Sequence, residues 1–294
     1  MQLTQTTARV AGPQALVEQH YTLGHSTLVQ EIRLTAGSAR LDFVSRLHWR
    51  ERQTMLRTSF PVAIHAETAT YEIQFGHVRR PTHRNTTWDL ARDEVVGHKW
   101  VDLSQRDYGV ALLNDSKYGH KIKGNVIDLN LLRSVPHPGP RLVSEDAVAP
   151  GEPHPVYTDQ CEHRFTYALY PHLGDHVAGN VVQAAYALNC PLTVAPVTGR
   201  AGTAAKQHTF LHVDAPNVII EAVKKAEDDD SLILRLYEAS HQSTRTKLHF
   251  GFAVSSVMAT NLMEEEPTPL VLDGAAVALR FRPFEIKTIK VVPG

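Results

Sequence analysis

The polar segment Arg79–Trp88 holds the side chains of this chain that are best suited to bind a small polar ligand. His83, Arg84 and Asn85 offer hydrogen-bond donors and acceptors of fixed geometry, which is what orienting sugar hydroxyl groups requires, and Trp88 could supply an apolar face. The competing interpretation is that His83 and Asn85 satisfy backbone groups of a long loop while Trp88 packs underneath. The residues alone leave both interpretations open.

Histidine is abundant, with 17 residues, and two close pairs invite a metal interpretation: His77 with His83, and His172 with His176. Metal ligands must converge and need oriented partners, and neither pair lies on an evident helix that would align it. Surface or hydrogen-bonded histidines are the simpler interpretation, so no metal ligand is predicted in this chain. The sequence contains no GxxxxGK[ST], GxGxxG or GxSxG motif, so it does not indicate nucleotide binding or a serine nucleophile.

Alternating apolar residues predict that β-strands position these side chains. The alternation recurs in three segments, at Leu41, Phe43, Leu47 and Trp49, at Tyr71, Ile73 and Phe75, and at Val277, Leu279 and Phe281. Such a period of two is typical of strands with one buried face. Helical periodicity is weak, and the 17 Gly and 17 Pro lie mostly between the apolar runs. The chain is therefore predicted to be mainly β and built from sandwiches.

Two segments interrupt the strand pattern. Ser134–Pro155 contains six prolines and predicts a long loop, whereas Thr198–Gln207 is rich in Gly, Ala and Thr and predicts a linker. After Gln207 short strands resume over about ninety residues, a length typical of a small immunoglobulin-like sandwich. We therefore predict a domain boundary near residue 207, with one domain at 1–206 and a second at 207–294.

Composition argues against several classes of protein. Thirty Lys+Arg and 31 Asp+Glu give a formal net charge of −1, so no overall field favours nucleic acid or an anionic membrane. The longest mostly apolar run, Val181–Val197, contains Gln, Asn and Pro residues and cannot form a membrane-spanning helix of about 20 residues. No secretory signal peptide is visible, and Cys161 and Cys190 alone provide no disulfide framework. A cytoplasmic location is the default expectation.

Nearly the whole chain resembles the C-terminal region of glycoside hydrolase family 38 α-mannosidases, specifically the vacuolar/cytosolic and bacterial branch. The matching blocks occur in the family's order, which makes the resemblance more specific than any one motif. In chain order they are HSTLVQEIRLTAGSARLDFVSRLHWRER, FGHVRRPTHRNTTWD, HKWVDLS, LLNDSKYG, YTDQCEHRFTYALYPHLGDH, VVQAAYALNCPL, VDAPNVIIEAVKKAEDDDSLILRLYEAS and LRFRPFEIKTIKV. The resemblance implies that YTDQCEHRFTYALYPHLGDH and VVQAAYALNCPL form the closing strands of the large β domain.

The resemblance implies a large galactose-mutarotase-like supersandwich at 1–206, followed by a small immunoglobulin-like β-sandwich at 207–294. It also implies that the whole enzyme hydrolyses terminal α-linked mannose with retention of configuration. Members of the family hold a zinc ion with two His and two Asp in an N-terminal barrel, and none of the motifs that carry these residues can be matched here. We therefore expect zinc in a barrel ahead of Met1 and no cofactor in this chain.

In this family, loops of the large β domain complete the rim of the active site. The resemblance thus assigns substrate-binding rim positions to His83, Arg84, Asn85, Lys117, Tyr118 and Arg133. The last of these aligns only loosely, because its flanking residues differ from those of the family.

The block LLNDSKYG also has a structural interpretation. Asn114 and Asp115 could start a turn by accepting hydrogen bonds from backbone N–H groups, with Gly119 closing it. Lys117 and Tyr118 can still project toward a sugar from such a turn. The block is therefore expected to combine a turn with two rim side chains.

No catalytic residue is nominated in this chain. Retaining glycosidases need two carboxyl groups about 5 to 5.5 Å apart, a distance that a sequence cannot show. The candidates by residue type alone are Asp89, Asp93, Asp102, Asp107, Asp115 and Asp175. Because the resemblance places both catalytic carboxylates in the barrel, the chain alone is expected to be inactive.

The expected partners are a mannose-containing glycan and the N-terminal catalytic barrel of the same enzyme. Separation from that barrel should expose an apolar patch, which could drive formation of a homodimer. The alternative, from another functional class, is a free-standing carbohydrate-binding or assembly module without catalytic activity. Turnover of a mannoside by the chain combined with a barrel would distinguish the two.

Overall fold

β-Strands dominate the fold, which confirms the predicted fold class of β-rich sandwiches. The computed structural model describes residues 1–137, 156–196, 199 and 207–294. These residues form two units. The first comprises Met1–Ile73 and Val78–Pro191, and the second comprises Gln74–His77 and Leu192–Gly294.

The predicted interruptions fall mostly outside the described residues. Only four residues of the predicted loop Ser134–Pro155 and two of the predicted linker Thr198–Gln207 are described. The boundary near residue 207 therefore stays a prediction.

Strands that precede residue 191 have the following bounds: β1 (Gln2–Ala11), β2 (Gln14–Leu23), β3 (Ser26–Thr35), β4 (Leu41–His48), β5 (Met55–Pro61), β6 (Thr68–Ile73), β7 (Gly76–Pro81), β8 (Val95–Val96), β9 (Trp100–Ser104), β10 (Tyr108–Asn114), β11 (Gly119–Lys123), β12 (Val126–Arg133), β13 (Pro136–His137), β14 (Val156–Tyr157) and β15 (Glu162–Leu173). The helices are α1 (Thr87–Ala91) and α2 (Val181–Asn189).

The first unit is a sandwich of a nine-stranded and a four-stranded sheet. The large sheet has the order β1-β2-β3-β4-β15-β10-β9-β6-β7, and the small sheet has the order β5-β12-β11-β8. Their facing side chains form one core, in which Phe43 stacks on Tyr167 at 4.9 Å between ring centroids and Phe60 of the small sheet lies 5.6 Å from Phe43. This core contains the alternating residues of β4, as the sequence pattern predicts.

Helix α2 covers the other face of the nine-stranded sheet. It packs against β9 and β10 and buries Val181, Val182 and Ala185. Trp100 and Asp102 of β9 are buried while their neighbour Val101 belongs to the opposite core. The central strands are therefore buried on both faces, so polar side chains beneath α2 need internal partners.

The second unit is a smaller sandwich. Its strands are β16 (Leu211–Val213), β17 (Val218–Lys225), β18 (Leu232–Glu238), β19 (Thr244–Phe250), β20 (Val254–Thr260), β21 (Thr268–Leu270), β22 (Leu272–Asp273), β23 (Ala276–Phe281) and β24 (Ile286–Pro293). They form sheets of order β16-β19-β23-β22 and β17-β18-β24-β20-β21, with Leu234, Leu248 and Phe281 at the centre of the core.

Two local expectations differ from the structure. The alternation at Tyr71, Ile73 and Phe75 predicts a strand through Phe75, but β6 ends at Ile73 and Phe75 has a φ of 55°, in the left-handed region. The resemblance also implied a closing strand at VVQAAYALNCPL, and this is wrong, because Val181–Asn189 form the helix α2. Its N-cap is Asn180, a residue type that favours this position, although the Asn180 side chain makes no capping bond.

Candidate functional site

A one-turn helix holds the end of the polar segment Arg79–Trp88. After β7 ends at Pro81, Thr86 caps α1 by accepting a hydrogen bond at its Oγ1 from the Asp89 backbone N–H, at 3.1 Å. The Asp89 carboxylate in turn accepts from the Thr86 backbone N–H at 3.2 Å. This reciprocal capping box fixes a helix that is too short to be stable by itself.

The capped helix presents Trp88 to solvent. The Trp88 side chain is 73% exposed, and Leu90 on the same helix is 59% exposed. The interpretation in which Trp88 packs underneath the loop is therefore wrong. An exposed indole on an ordered turn is a suitable apolar face for a sugar ring or another flat ligand.

Ion pairs orient the basic residues of this segment. Arg84 pairs with Asp93, whose other carboxylate oxygen lies 2.9 Å from Nζ of Lys121 on β11. Burial is the largest cause that lowers the pKa of Lys121, and the positive charges of Arg84 and Arg57 lower it further. Arg84 is thereby held by a carboxylate shared with a second cation, and it is not free to move with a ligand.

His83 and Asn85 are more accessible. The His83 Nδ1 lies 3.7 Å from Oδ2 of Asp89, and its side chain is 44% exposed. Asn85 is exposed next to it. Both can offer hydrogen bonds to a ligand on the surface, on the same loop that carries Trp88.

The cleft beneath the loop is too small for a sugar. It has a volume of about 30 Å³ and is lined by Tyr71, Arg80 and His83, among others. The Arg80 guanidinium lies 4.6 Å from the Tyr71 ring centroid and donates to the Val96 carbonyl at 2.9 Å. Such a volume holds only one or two water molecules. A sugar therefore cannot bind inside this cleft.

The block LLNDSKYG forms the predicted turn. Asn114 Oδ1 accepts from the Lys117 backbone N–H at 2.8 Å, which confirms the expected capping by Asn114. Asp115 Oδ2 instead accepts from the Thr166 backbone N–H of β15 at 2.9 Å, so it joins the turn to that strand and does not cap the turn itself. The Lys117 ammonium lies 4.8 Å from the ring centroid of Phe165, and burial lowers its pKa.

Tyr118 and Arg133 lie at the opposite end of the small sheet from His83. Tyr118 is half exposed, with its ring 5.4 Å from that of His98, and Arg133 is exposed at the end of β12. The other end of β11 carries Gly124, whose N–H donates to the carbonyl of Thr82, next to His83. The seven residues from Tyr118 to Gly124 span about 20 Å in an extended strand. A single monosaccharide cannot contact both ends, so the six predicted rim residues do not form one compact cluster.

The candidate aspartates of the first unit all have partners that give them structural roles. Asp89 caps α1, Asp93 pairs with basic residues, and Asp102 bonds to His172. The remaining three accept side-chain or backbone hydrogen bonds: Asp107 from Gln105, Asp115 from Ser116 and Thr166, and Asp175 from Val177 and Ala178.

A buried polar cluster beneath α2 was not visible in the sequence. His172 Nε2 lies 2.8 Å from Asp102 Oδ1, and His176 stacks on Trp100 at 5.3 Å between ring centroids. Burial lowers the pKa of His176. The glycines Gly109 and Gly179 are signals of it, because a Cβ at either position would lie 2.3 Å from the His172 ring.

A second buried carboxylate was also missed. Glu72 is 3% exposed, accepts from the Lys99 backbone N–H at 2.5 Å and lies 3.0 Å from the Lys99 ammonium. Burial raises the pKa of Glu72, and the charge of Lys99 opposes this increase. The ammonium also lies 4.7 Å from the Tyr186 ring centroid, so Lys99 links β6 to α2.

No group of three His, Cys, Asp or Glu side chains in the described part of the chain could hold a metal ion. The residues present thus do not fit the zinc site that the resemblance implies for the family. In the same residues, no helix is long and apolar enough to cross a membrane.

Comparison with known sequences assigns both units to named domain families. Residues 5–141 match the model for the "Glycosyl hydrolases family 38 C-terminal domain", and residues 217–289 match the model for the "Glycosyl hydrolases family 38 C-terminal beta sandwich domain".

Similar proteins come from animals, amoebae and bacteria. The chain is 40% identical over 273 residues to Alpha-mannosidase 2C1 of Mus musculus, covering 91% of this chain and 24% of that protein. It is 36% identical over 291 residues to Alpha-mannosidase G of Dictyostelium discoideum, covering 96% and 25%. The chain therefore spans about a quarter of the length of these relatives. A solved α-mannosidase from Enterococcus faecalis V583 shares the fold, with a TM-score of 0.77 and 21% identity over 98% of this chain and 35% of that chain.

Proposed function

The chain belongs to glycoside hydrolase family 38, and on this premise we propose that it is the C-terminal β region of an α-mannosidase that removes terminal α-linked mannose with retention of configuration. The observation that carries the proposal is the match of both units, in order, to the two C-terminal domains of that family. The names of the similar proteins suggest the substrate, since both are α-mannosidases.

The proposal places the bond-breaking chemistry in the N-terminal part of the enzyme. Retention requires a carboxylate nucleophile and a second carboxyl group acting as acid and then base, about 5 to 5.5 Å from it. The six aspartates weighed as candidates have structural partners instead, and the described residues provide no metal site. Both carboxylates and the zinc of the family are therefore assigned to the region that precedes this chain in its relatives.

The contribution of this chain is to bind and orient the substrate at the rim of the site. Trp88 offers an exposed ring face, and His83 and Asn85 offer hydrogen bonds beside it. The capping box and the Arg84–Asp93 pair hold this loop in one conformation, which lowers the entropic cost of ordering it on binding. Lys117, Tyr118 and Arg133 stay in the proposal as rim residues for more distant parts of a glycan.

The edge of the nine-stranded sheet supports contact with another part of the enzyme. Val10, Ala15, Leu34 and Leu41 lie in register across β1 to β4 on one face. Val10 is 81% exposed and Leu34 is 48% exposed. Exposing an apolar row of this kind to water is unfavourable, so we include the N-terminal barrel in the proposal as the partner that covers it. Without the barrel, the chain is proposed to form a homodimer. A cytoplasmic location is also part of the proposal.

The test is a complementation assay. The purified chain is offered an aryl α-mannoside in the presence of zinc, first alone and then mixed with a barrel-containing N-terminal fragment of the enzyme. We expect turnover only in the mixture, and we expect the released mannose to keep the α configuration when followed by NMR.

Three outcomes would change the proposal. Turnover by the chain alone would overturn the location of catalysis, and release of β-mannose would overturn retention. Absence of turnover in the mixture, combined with glycan binding by the isolated chain, would favour a carbohydrate-binding module without catalytic activity.

A further inference from the structure

An open groove lies at one end of the first unit, next to the loop between β7 and α1 that carries His83 (Thr82–Thr86, the His83 loop). It is formed by Ala63–Glu67 ahead of β6, by Thr82 and His83 after β7, by Gln105 after β9 and by the turn Lys123–Asn125 between β11 and β12. Its volume is about 910 Å³. This volume is within the range of sites that bind small molecules.

Backbone hydrogen bonds fix the walls of the groove. Thr82 donates its N–H to the Glu67 carbonyl at 2.9 Å and accepts at its own carbonyl from Gly124, also at 2.9 Å. Val62 donates to the Asn125 carbonyl at 2.9 Å. Three chain segments are thereby tied to one another, so the groove does not depend on a ligand for its shape.

Three ionisable side chains line this groove without a hydrogen-bond or ion-pair partner in the described part of the chain. Among the described residues, no hydrogen bond or ion pair engages the imidazole of His65, the carboxylate of Glu67 or the ammonium of Lys123. All three residues are exposed, and the exposed Ala63 adds apolar surface to the lining. Hydrogen-bonding groups that line a preformed groove and have no protein partner are available to a ligand.

The chemistry of these groups selects a neutral ligand that is rich in hydroxyl groups. Glu67 and Lys123 carry opposite charges within one groove, so their charges offset each other and neither an anionic nor a cationic ligand gains a net attraction. Each hydroxyl both donates and accepts, and can therefore bond to a carboxylate, an ammonium group and an imidazole in turn. We propose that this groove is an accessory site for neutral oligosaccharide, distinct from the outer surface of the His83 loop.

The position of the groove suggests which sugar units it takes. His83 lines the groove and also belongs to the proposed rim, so a glycan with one end at the rim can extend into the groove. The choice of a mannose oligosaccharide as the ligand rests on the proposed function, whereas the preference for a neutral polyol rests on the groove itself.

Isothermal titration of the isolated chain with linear mannotriose tests the site. Glu67→Gln and Lys123→Met should each weaken binding by about tenfold, the loss that corresponds to one hydrogen bond to a charged group. Lys225→Met, which removes an exposed ammonium from the second unit, serves as the matched control and should leave the affinity unchanged. Unfolding midpoints of all variants should match, since the altered side chains are exposed.

The accessory site is overturned if mannotriose does not bind the unaltered chain, or if Glu67→Gln and Lys123→Met bind it as tightly as the unaltered chain does. This readout needs no N-terminal fragment and no turnover. Failure of the complementation assay would therefore contradict the proposed hydrolase role without affecting the binding result, and the two failures can be told apart.

Discussion

His172 and Asp102 form a buried hydrogen bond of 2.8 Å that spans three neighbouring strands of the nine-stranded sheet. Asp102 belongs to β9 and His172 to β15, and the bond passes across Gly109 of the intervening strand β10. Ser104 donates its hydroxyl to the other carboxylate oxygen at 2.8 Å. One carboxylate therefore satisfies two donors in a layer where water is excluded, which makes it an anchor of the sheet beneath α2.

Asp102→Ala should lower the stability of the chain markedly. The substitution leaves the buried His172 and the partly buried Ser104 without their acceptor, and we expect a loss of about 2–5 kcal/mol in the free energy of unfolding. Urea denaturation followed by circular dichroism measures this loss. Asp107→Ala removes an exposed carboxylate from the turn between β9 and β10 and should cost less than about 0.5 kcal/mol. Equal losses for the two variants would contradict an anchoring role for Asp102.

Glu238→Gln should destabilise the second unit. The Glu238 carboxylate is fully buried and accepts from the Asn217 side chain and from the backbone N–H groups of Ser240, Gln242 and Phe284, at 2.8 to 3.1 Å. Glutamine has nearly the same shape but only one accepting oxygen. Some of these N–H groups would therefore lose their acceptor.

We expect Glu238→Gln to cost about 2–4 kcal/mol in the free energy of unfolding. The exposed Glu265→Gln is the isosteric control, with an expected change near zero. Thermal unfolding followed by circular dichroism compares the two variants, and an unchanged midpoint for Glu238→Gln would show that the carboxylate is dispensable.

Sequence patterns predicted the strands well because each strand carries its own local signal. The alternation in β4 and β23 depends only on which face is buried, and both strands occur where the pattern places them. The end of β6 was missed because the left-handed conformation of Phe75 has no signature in a non-glycine residue. Helix α2 was missed because it lies in an apolar run that continues beyond Asn189, with too few polar residues to show a helical period.

Contacts between distant residues were not predictable in the same way. Asp102 and His172 are seventy positions apart, and only the strand order places them together. The exposure of Trp88 also depends on tertiary packing, since the same residues suit a loop with a buried or an exposed indole. Composition nonetheless singled out the polar segment that carries Trp88, because histidine, arginine and asparagine together are unusual in a strand that only builds a core.

Acid should destabilise the first unit through His120. This side chain is fully buried, and burial lowers its pKa to about 3, from about 6.5 in the unfolded chain. As the pH falls below about 6.5, the unfolded chain takes up a proton that the folded chain refuses until about pH 3. Stability therefore decreases over this window, by up to about 1.4 kcal/mol per pH unit.

The contribution of His120 can be isolated by comparing variants over pH. His120→Gln removes the titrating group, so the free energy of unfolding should fall less steeply between pH 6.5 and 4.5 than in the unaltered chain. His25→Gln alters an exposed imidazole and should keep the original slope. Urea titrations at several pH values measure these slopes, and parallel curves for all three proteins would assign the acid sensitivity to other groups.

Trp88→Ala should weaken substrate binding by the complemented enzyme without affecting folding. The indole is 73% exposed, so its removal should change the free energy of unfolding by less than about 0.5 kcal/mol. Loss of its ring face should raise KM for an aryl α-mannoside by about threefold to tenfold, with a smaller effect on kcat, because the role proposed for the rim is to bind substrate and not to break the bond. Leu90→Ala, on the same helix, is the control for exposed apolar surface. If Trp88→Ala and His83→Ala both left KM and kcat at their original values, the His83 loop would have only a structural role.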